Sequence, residues 1–296
     1  MAPLILVLPV ARLVGLGSAT GISAANSYLS SRLSSRFPMV LLTVGLGIGF
    51  TVSLVNDLIP AFPPSSDYWY GILAFVVVLL WGIRWLLARR HARGIAFLYG
   101  QASDYWGRAL SVSILLALTI EVGLLYSDGR SPLLTYGVGT GLLLVAGLLR
   151  LWEQPQPWTL YLLGWICQLL AAEGVVAFGD GSLLSLSIVT VALGAVTLGL
   201  TLLVQRRFPV HHLRILSMIY GLLSLAFRVN SFNAWTGWIV LVTALLGIEI
   251  SRHVRWGWLR WLSLLGISLG WYELVLYQLS QSDRKSTRLN SSHTHL

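Results

Sequence analysis

Nine apolar runs, each close to the length that a bilayer-crossing helix needs, dominate this chain of 296 residues. Such a helix takes about 20 predominantly apolar residues, and in lipid its backbone groups must bond to one another. We therefore predict an all-α, polytopic integral membrane bundle of about nine transmembrane helices, with eight or ten as the alternatives. The predicted spans are 39–59, 68–87, 109–126, 133–151, 158–178, 183–204, 213–229, 234–250 and 261–280.

The composition excludes an ordinary water-soluble domain. Hydrophobic residues make up 56% of the chain and charged residues only 10%, and the mean hydropathy is +0.75. Soluble domains are about 45–50% apolar and about 25% charged. Many of the 13 tryptophans lie at the edges of apolar runs, which is typical of side chains at a membrane–water interface. The expected partners are the lipid bilayer and, through helix contacts, other copies in an oligomer.

The distribution of arginine predicts the orientation of the chain. With the N-terminus in the cytoplasm, 15 arginines before Asp283 fall on the cytoplasmic side, and only Arg130 and Arg228 fall on the outer side. We expect an integral protein of a bacterial inner membrane in this orientation. The cytoplasmic arginines are spread over short loops, so they predict contacts with anionic lipid headgroups and no nucleic-acid site. They are Arg12, Arg32, Arg36, Arg84, Arg89, Arg90, Arg93, Arg108, Arg150, Arg206, Arg207, Arg214, Arg252, Arg255 and Arg260.

The chain is expected to divide into an N-terminal segment, a transmembrane domain and a tail. Residues 1–36 contain an apolar run too short to span comfortably, and we predict an interfacial helix on the cytoplasmic surface. Residues 37–280 form the predicted transmembrane domain. Residues 281–296 are expected to be non-native, because 283–293 reads DRKSTRLNSSH, which resembles a translated sequencing adapter. The native protein is accordingly expected to be longer.

Three glutamates lie inside apolar runs, where carboxylates are rare and tend to face a bundle interior or a wet cavity. Each follows a tryptophan at the same interval, which predicts a similar depth in the outer third of parallel helices. We interpret them as intramembrane polar candidates. They either form a proton, cation or substrate site or specify helix packing. The glutamates are Glu121, Glu173 and Glu273, and the tryptophans are Trp106, Trp158 and Trp258.

The same three segments suggest a tandem repeat of helical hairpins. They read WGRALSVSILLALTIE, WTLYLLGWICQLLAAE and WLRWLSLLGISLGWYE, and they align without gaps. The interval from Glu121 to Glu173 is close to the length of one helical hairpin, and the interval from Glu173 to Glu273 is close to that of two. The alternative is coincidence, because tryptophan is common at membrane interfaces.

Arg228 is the predicted counter-charge of the glutamates. It is one of two arginines on the outer side, and a buried charge without a partner would be very costly. We expect an ion pair with at least one of the three glutamates. The alternative is that Arg228 extends to the outer interface. Gln168 and Asp57 are weaker polar candidates, because isolated polar residues more often bond to neighbouring helices.

No catalytic, cofactor-binding or metal-binding signature accompanies these residues. The sequence has no HExxH motif, no phosphate-binding loop and no paired aspartates at metal spacing. We therefore name no catalytic residue, cofactor or metal, and we favour a non-enzymatic protein. The leading interpretation is a transporter or permease-like bundle with outer-facing glutamates. The alternatives are a structural or assembly protein made of repeated hairpins and a membrane-embedded transferase that acts on lipid-linked substrates.

Overall fold

The structure is a computed structural model that describes residues 15–24, 33–58, 66–89, 94–128, 134–203, 210–229, 231–254 and 256–293. Every regular element in these ranges is an α-helix, as the apolar runs predicted. The helices are α1 (15–24), α2 (Leu33–Leu58), α3 (Ser66–Arg89), α4 (Ile95–Asp128), α5 (Leu134–Glu153), α6 (Pro157–Phe178), α7 (Leu183–Leu203), α8 (Val210–Phe227), α9 (Ala234–Val254) and α10 (Gly257–His293).

Eight of the described helices are long and apolar enough to cross a membrane, namely α2, α3, α4 and α6–α10. The remaining predicted span, 133–151, corresponds to α5, which is helical over 20 residues but is not one of these eight. It carries Arg150 and Glu153 near its C-terminal end. The chain is therefore an all-α, multi-pass integral membrane protein whose apolar helices fit contact with a lipid bilayer.

Helix α4 begins well before the span predicted for it. The predicted spans 68–87 and 109–126 leave about 88–108 as a connection, but α3 ends at Arg89 and α4 begins at Ile95, so most of this predicted connection is wrong. The extra turns are helical because they have an apolar face: Leu98 and Ala102 pack against Val40 of α2. The 34 residues of α4 are about 50 Å long, against about 30 Å of hydrocarbon core.

Helix α2 is anchored to its neighbours at two points. The Trp106 indole of α4 donates a hydrogen bond of 2.9 Å to the carbonyl of Leu41, and Gly45 leaves room for its ring. The hydroxyl groups of Ser23 in α1 and Thr43 in α2 lie 2.7 Å apart. Residues 1–14 and 25–32 lie outside the described part of the chain, and the interfacial position of 1–36 stays a prediction.

The chain divides into two compact units. Unit 1 comprises Met1–Glu121 and Leu133–Gln154, and it contains α1, α2, α3, α5 and α4 as far as Glu121. Unit 2 comprises Val122–Pro132 and Pro155–Leu296, and it contains the end of α4 and helices α6–α10.

In unit 2, polar side chains bond to the backbone of neighbouring helices. The Ser217 hydroxyl of α8 donates to the carbonyl of Gly194 in α7 at 2.7 Å. The Tyr220 hydroxyl of α8 donates to the carbonyl of Gly164 in α6 at 2.6 Å. Such bonds satisfy buried hydroxyl groups where lipid offers no partner, and they fix the contacts among α6, α7 and α8.

Helices α9 and α10 are brought together by small residues. A Cβ atom on Gly237 would lie 2.9 Å from the carbonyl oxygen of Gly270, and a Cβ atom on Gly270 would lie 3.1 Å from that of Gly237. Farther along, a Cβ atom on Gly266 would lie 3.1 Å from Ala244. Small residues allow two backbones to approach closely. The contact also brings Glu273, less than one turn after Gly270, close to the start of α9.

Candidate charged site in unit 1

Glu121 lies in unit 1 beside the hydroxyl group of a tyrosine. It is half-buried and accepts a hydrogen bond of 3.4 Å from the Tyr70 hydroxyl of α3. The Tyr70 ring lies against Tyr136 of α5, with ring centroids 5.9 Å apart. Gly139 permits this approach of α3 and α5, because a Cβ atom there would lie 3.3 Å from the Tyr70 backbone. We call Tyr70, Glu121 and Tyr136 the tyrosine–glutamate layer.

The candidates of α6 lie in unit 2. Glu173 is buried, with 6% of its surface exposed. Gln168 donates from Nε2 to the Thr190 hydroxyl of α7 at 2.9 Å, which is the helix-to-helix bond typical of an isolated polar residue. Asp57 lies in the last turn of α2, and its side chain lies outside the described part of the structure.

The ion pair expected between Arg228 and one of the glutamates is present, with Glu273 as the partner. Arg228 follows α8 directly, and its Nη1 lies 2.7 Å from Glu273 Oε2 of α10. The same nitrogen donates to the carbonyl of Thr236 in the first turn of α9 at 2.8 Å. Both charged side chains are about four-fifths buried (21% and 18% exposed). Arg228 therefore connects the end of α8 to α9 and α10.

The tryptophans of the three aligned segments are not equivalent in the structure. Trp158 and Trp258 are the second residues of α6 and α10, whereas Trp106 lies about three turns into α4. Trp258 is 59% exposed and stacks on Trp256, while Trp106 packs inside unit 1. The helix boundaries do not follow the spacing of the tryptophan–glutamate segments, and the tandem repeat stays a prediction.

A second group of charged side chains meets at the opposite end of α3, α4 and α5. Asp104 of α4 contacts three arginines. Nη1 of Arg84 and Nη2 of Arg108 each lie 2.5 Å from Asp104 Oδ2. Nε of Arg150 lies 3.0 Å from Oδ1. Asp104 is 5% exposed and Arg150 is 1% exposed. We call these four residues, together with Glu153, the arginine cluster.

The end of α5 completes the arginine cluster. Glu153 Oε1 lies 3.6 Å from Arg84 Nε, and Glu153 Oε2 lies 3.2 Å from Arg150 Nη1. The Gln154 amide oxygen accepts a hydrogen bond of 3.1 Å from Arg84 Nη2. Helix α5 ends here because Pro155 disfavours a helical conformation at the residue before it and cannot donate a backbone hydrogen bond.

The charges of the arginine cluster do not balance. Three guanidinium groups face two carboxylates, which leaves one net positive charge when all five groups are ionised. Burying an ion is costly unless oppositely charged partners and hydrogen bonds compensate. The Arg150 side chain has no exposed surface, so its contacts with Asp104 and Glu153 offset the cost of its burial.

A cavity of about 740 Å³ borders the arginine cluster. Arg84, Arg108 and Gln101 supply hydrogen-bond donors to its wall, the carboxylates of Asp104 and Glu153 also line it, and Leu87 and Phe97 supply apolar surface. Its volume lies within the range of about 300–1,000 Å³ that is typical of ligand pockets. In the described part of the chain, no three His, Cys, Asp or Glu side chains are grouped in a way that could hold a metal ion.

From the sequence, Arg84, Arg108 and Arg150 are interpreted only as orientation signals, and Asp104 is not singled out at all. The available signal is the four-residue spacing of Asp104 and Arg108, which places both on one face if the segment is helical. Because 88–108 is predicted to be a connection and not a helix, the spacing of Asp104 and Arg108 does not indicate a pair at that stage.

Comparison with protein-family models, with curated proteins and with solved structures found no match to this chain. Its function is therefore inferred from the geometry of the described residues.

Proposed function

We propose that this protein is a permease-like transporter in which α3, α4 and α5 carry the substrate path. The supporting observation is that the same three helices hold two polar sites near opposite ends. The tyrosine–glutamate layer lies at one end, and the arginine cluster with its cavity lies at the other. Each helix contributes to both sites: α3 with Tyr70 and Arg84, α4 with Glu121 and Asp104, and α5 with Tyr136 and Arg150.

The separation of the two sites suits a membrane-crossing path. On each of the three helices, the residues of one site lie roughly four to five turns from those of the other. At about 1.5 Å of rise per residue, these intervals correspond to roughly 21–26 Å. The hydrocarbon core of a bilayer is about 30 Å thick. Two polar sites at this separation would lie near its two surfaces.

Buried apolar side chains lie between the two sites on each helix, alongside the buried hydroxyl groups of Ser111 and Thr140. Val77 and Leu115 are 0% exposed and Leu143 is 1% exposed. Val77 and Leu143 stand midway between the two sites on α3 and α5, and Leu115 stands between them on α4. Buried apolar side chains would oppose the passage of a polar solute, so we expect the helices to shift and the two ends to open alternately. Glu121 is the proposed coupling group, because carboxylates within spans are typical of proton and ion pathways.

Flux into proteoliposomes tests transport. The full chain would be reconstituted into vesicles that contain a pH-sensitive dye, and labelled small cations, carboxylates, phosphates and neutral solutes would be offered across a pH gradient. We expect saturable uptake of at least one solute together with proton movement. Failure of the folded protein to move any of these solutes faster than protein-free vesicles would contradict the proposal.

Two substitutions separate coupling from general damage. Glu121→Gln keeps the size of the side chain and removes its charge, and we expect it to abolish proton-coupled uptake. Glu249→Gln is the matched control, because Glu249 pairs with Arg252 at an exposed helix surface (37% and 70% exposed). The control should retain wild-type flux. Equal flux in both variants would exclude Glu121 from coupling.

A structural or assembly role is the second candidate function, and the Arg228–Glu273 pair favours it. That pair joins α8, α9 and α10 within unit 2 and uses its charges for packing. If packing were the main role of the intramembrane glutamates, Glu121→Gln and Glu273→Gln would both reduce the yield of folded protein. Under the transport proposal, Glu121→Gln loses flux while the protein stays folded.

A further inference from the structure

We propose that the cavity beside the arginine cluster binds a phosphate group, carried either by a small soluble molecule or by a lipid headgroup. This inference concerns a ligand and its site, and it does not depend on whether the protein transports anything. It rests on the charge of the cluster, the placement of two guanidinium groups and the composition of the cavity wall.

The net charge of the cluster favours an anion. Three arginines and two carboxylates leave one positive charge, which is shared between the fully buried Arg150 and the two arginines that border the cavity. Asp104 already contacts all three arginines, so it cannot neutralise each of them fully. An anion in the adjoining cavity would complete the charge balance.

Arg84 and Arg108 are close together and accessible. Their nitrogen atoms each lie 2.5 Å from the same Asp104 oxygen, so the two nitrogens are no more than about 5 Å apart. Both side chains line the cavity together with their partners Asp104 and Glu153, and they are 17% and 41% exposed, whereas Arg150 is fully buried. Guanidinium groups are planar, carry several N–H donors and bind phosphate oxygens in a bidentate way.

The rest of the wall fits an amphiphilic ligand. Leu87 and Phe97 offer apolar surface beside the arginines, and Phe97 is 55% exposed. Because α4 is longer than the hydrocarbon core, we expect its first turns to extend to the level of the headgroups, where anionic lipids attract basic side chains. A free phosphate compound and an anionic lipid share the phosphate chemistry, and the experiment must separate them.

The test measures binding to the full chain in neutral detergent at fixed ionic strength, in two arms. The first arm is equilibrium dialysis with labelled inorganic phosphate. The second compares labelled phosphatidic acid with diacylglycerol, which lacks the phosphate, in mixed micelles. Binding in both arms identifies a site open to soluble phosphates, and binding of phosphatidic acid alone identifies a lipid-headgroup site. Binding in neither arm would overturn the proposal.

Three variants locate the binding. Arg108→Gln removes a donor, and Gln101→Glu places a carboxylate on the cavity wall at an exposed helix position while leaving the five residues of the cluster unchanged. Each should weaken binding about tenfold. Arg252→Gln removes an exposed arginine elsewhere and should change nothing. If Arg108→Gln does not fold, phosphate binding by Gln101→Glu tests the proposal on its own. If Gln101→Glu binds phosphate as the wild type does, the phosphate does not bind in this cavity. If Arg252→Gln weakens binding as much as the cavity variants do, the proposed site is likewise rejected.

Discussion

Asp104 is the residue that allows three arginines to share one end of unit 1. Its two oxygens contact Arg84, Arg108 and Arg150, and the last of these has no exposed side-chain surface. Removing one partner of a buried ion pair usually costs more than the pair itself contributes, because the remaining charge stays buried. The stability of unit 1 should therefore be more sensitive to Asp104 than to any surface charge.

We expect Asp104→Asn to lower the free energy of unfolding by about 3–5 kcal/mol, because the Arg150 guanidinium loses its principal counter-charge. Denaturant unfolding in detergent micelles measures the difference. Glu249→Gln is the control, since its exposed pair with Arg252 should contribute less than about 1 kcal/mol. A similar small change in both variants would mean that Asp104 does not compensate the buried arginine.

At the scale of single residues, the sequence predicts that Arg228 pairs with a glutamate, but it does not predict the pair of Asp104 and Arg150. Arg228 is conspicuous because few arginines are predicted to fall on the outer side, and three intramembrane glutamates are the available partners. Which glutamate it meets depends on the contact of α9 with α10, which sequence spacing does not reveal. Asp104 cannot be paired with Arg150 from the sequence, because the contact requires α4 to begin at Ile95.

At the scale of helices, glycine determines how closely α9 and α10 pack. We expect Gly237→Ala to lower the free energy of unfolding by about 1–3 kcal/mol, because its methyl group would meet the Gly270 carbonyl oxygen. Gly199→Ala in α7 is the matched control, because a Cβ atom there has nothing within 4 Å. The control should be neutral or slightly stabilising, since alanine favours helix. Equal stability of the two variants would show that the α9–α10 contact can relax.

The start of α7 has a pH-sensitive cap. Hydrogen bonds from the Ser185 hydroxyl and from the amide and hydroxyl of Ser182 hold the pKa of Asp180 below its ordinary value of 3.8. A lowered pKa means that the stabilisation by Asp180 is present above about pH 4 and is lost as pH falls through the folded-state value. The thermal midpoint of the wild type should therefore exceed that of Asp180→Asn near neutral pH and converge with it in acid. A difference that persists unchanged in acid would contradict this role.

Helix boundaries are predictable wherever local chemistry defines them. The span predicted at 158–178 is Pro157–Phe178 in the structure, because proline suits a first helical turn and Gly179 follows the last residue. The start of α4 is not predictable in this way. Residues 95–108 include polar side chains that suggest a connection, and they become helical through the packing of Leu98 and Ala102 against α2.

For the whole molecule, the arginine asymmetry predicts an orientation that labelling can check. Cys167 is the only cysteine, so Cys167→Ser provides a background without thiols. In intact cells, an impermeant maleimide should label Ser127→Cys, near the end of α4 that is predicted to face outward. It should label Arg252→Cys, near the end of α9 that is predicted to face the cytoplasm, only after permeabilisation. The reverse pattern would contradict the predicted orientation. It would place the tyrosine–glutamate layer on the cytoplasmic side and the arginine cluster on the outer side.

The fold class is predictable from the sequence because apolar length is a direct consequence of membrane thickness. The candidate functional site is not, because its residues come from three helices and meet only after those helices pack. Arg84, Asp104 and Glu153 each resemble ordinary loop-flanking charges when they are viewed one at a time. Their shared cavity is a property of the folded unit.

We also expect the arginine cluster to influence the order in which the helices insert during synthesis. Arg84 is translated before Asp104, and both are translated well before Glu153. Until those carboxylates exist, the Arg84 side chain must extend toward the headgroups to remain solvated. Arg150 can be buried only when α5 has joined α3 and α4. We therefore expect these three helices to enter the lipid as a group, with α3 held at the insertion machinery until the acidic residues that neutralise it have been made.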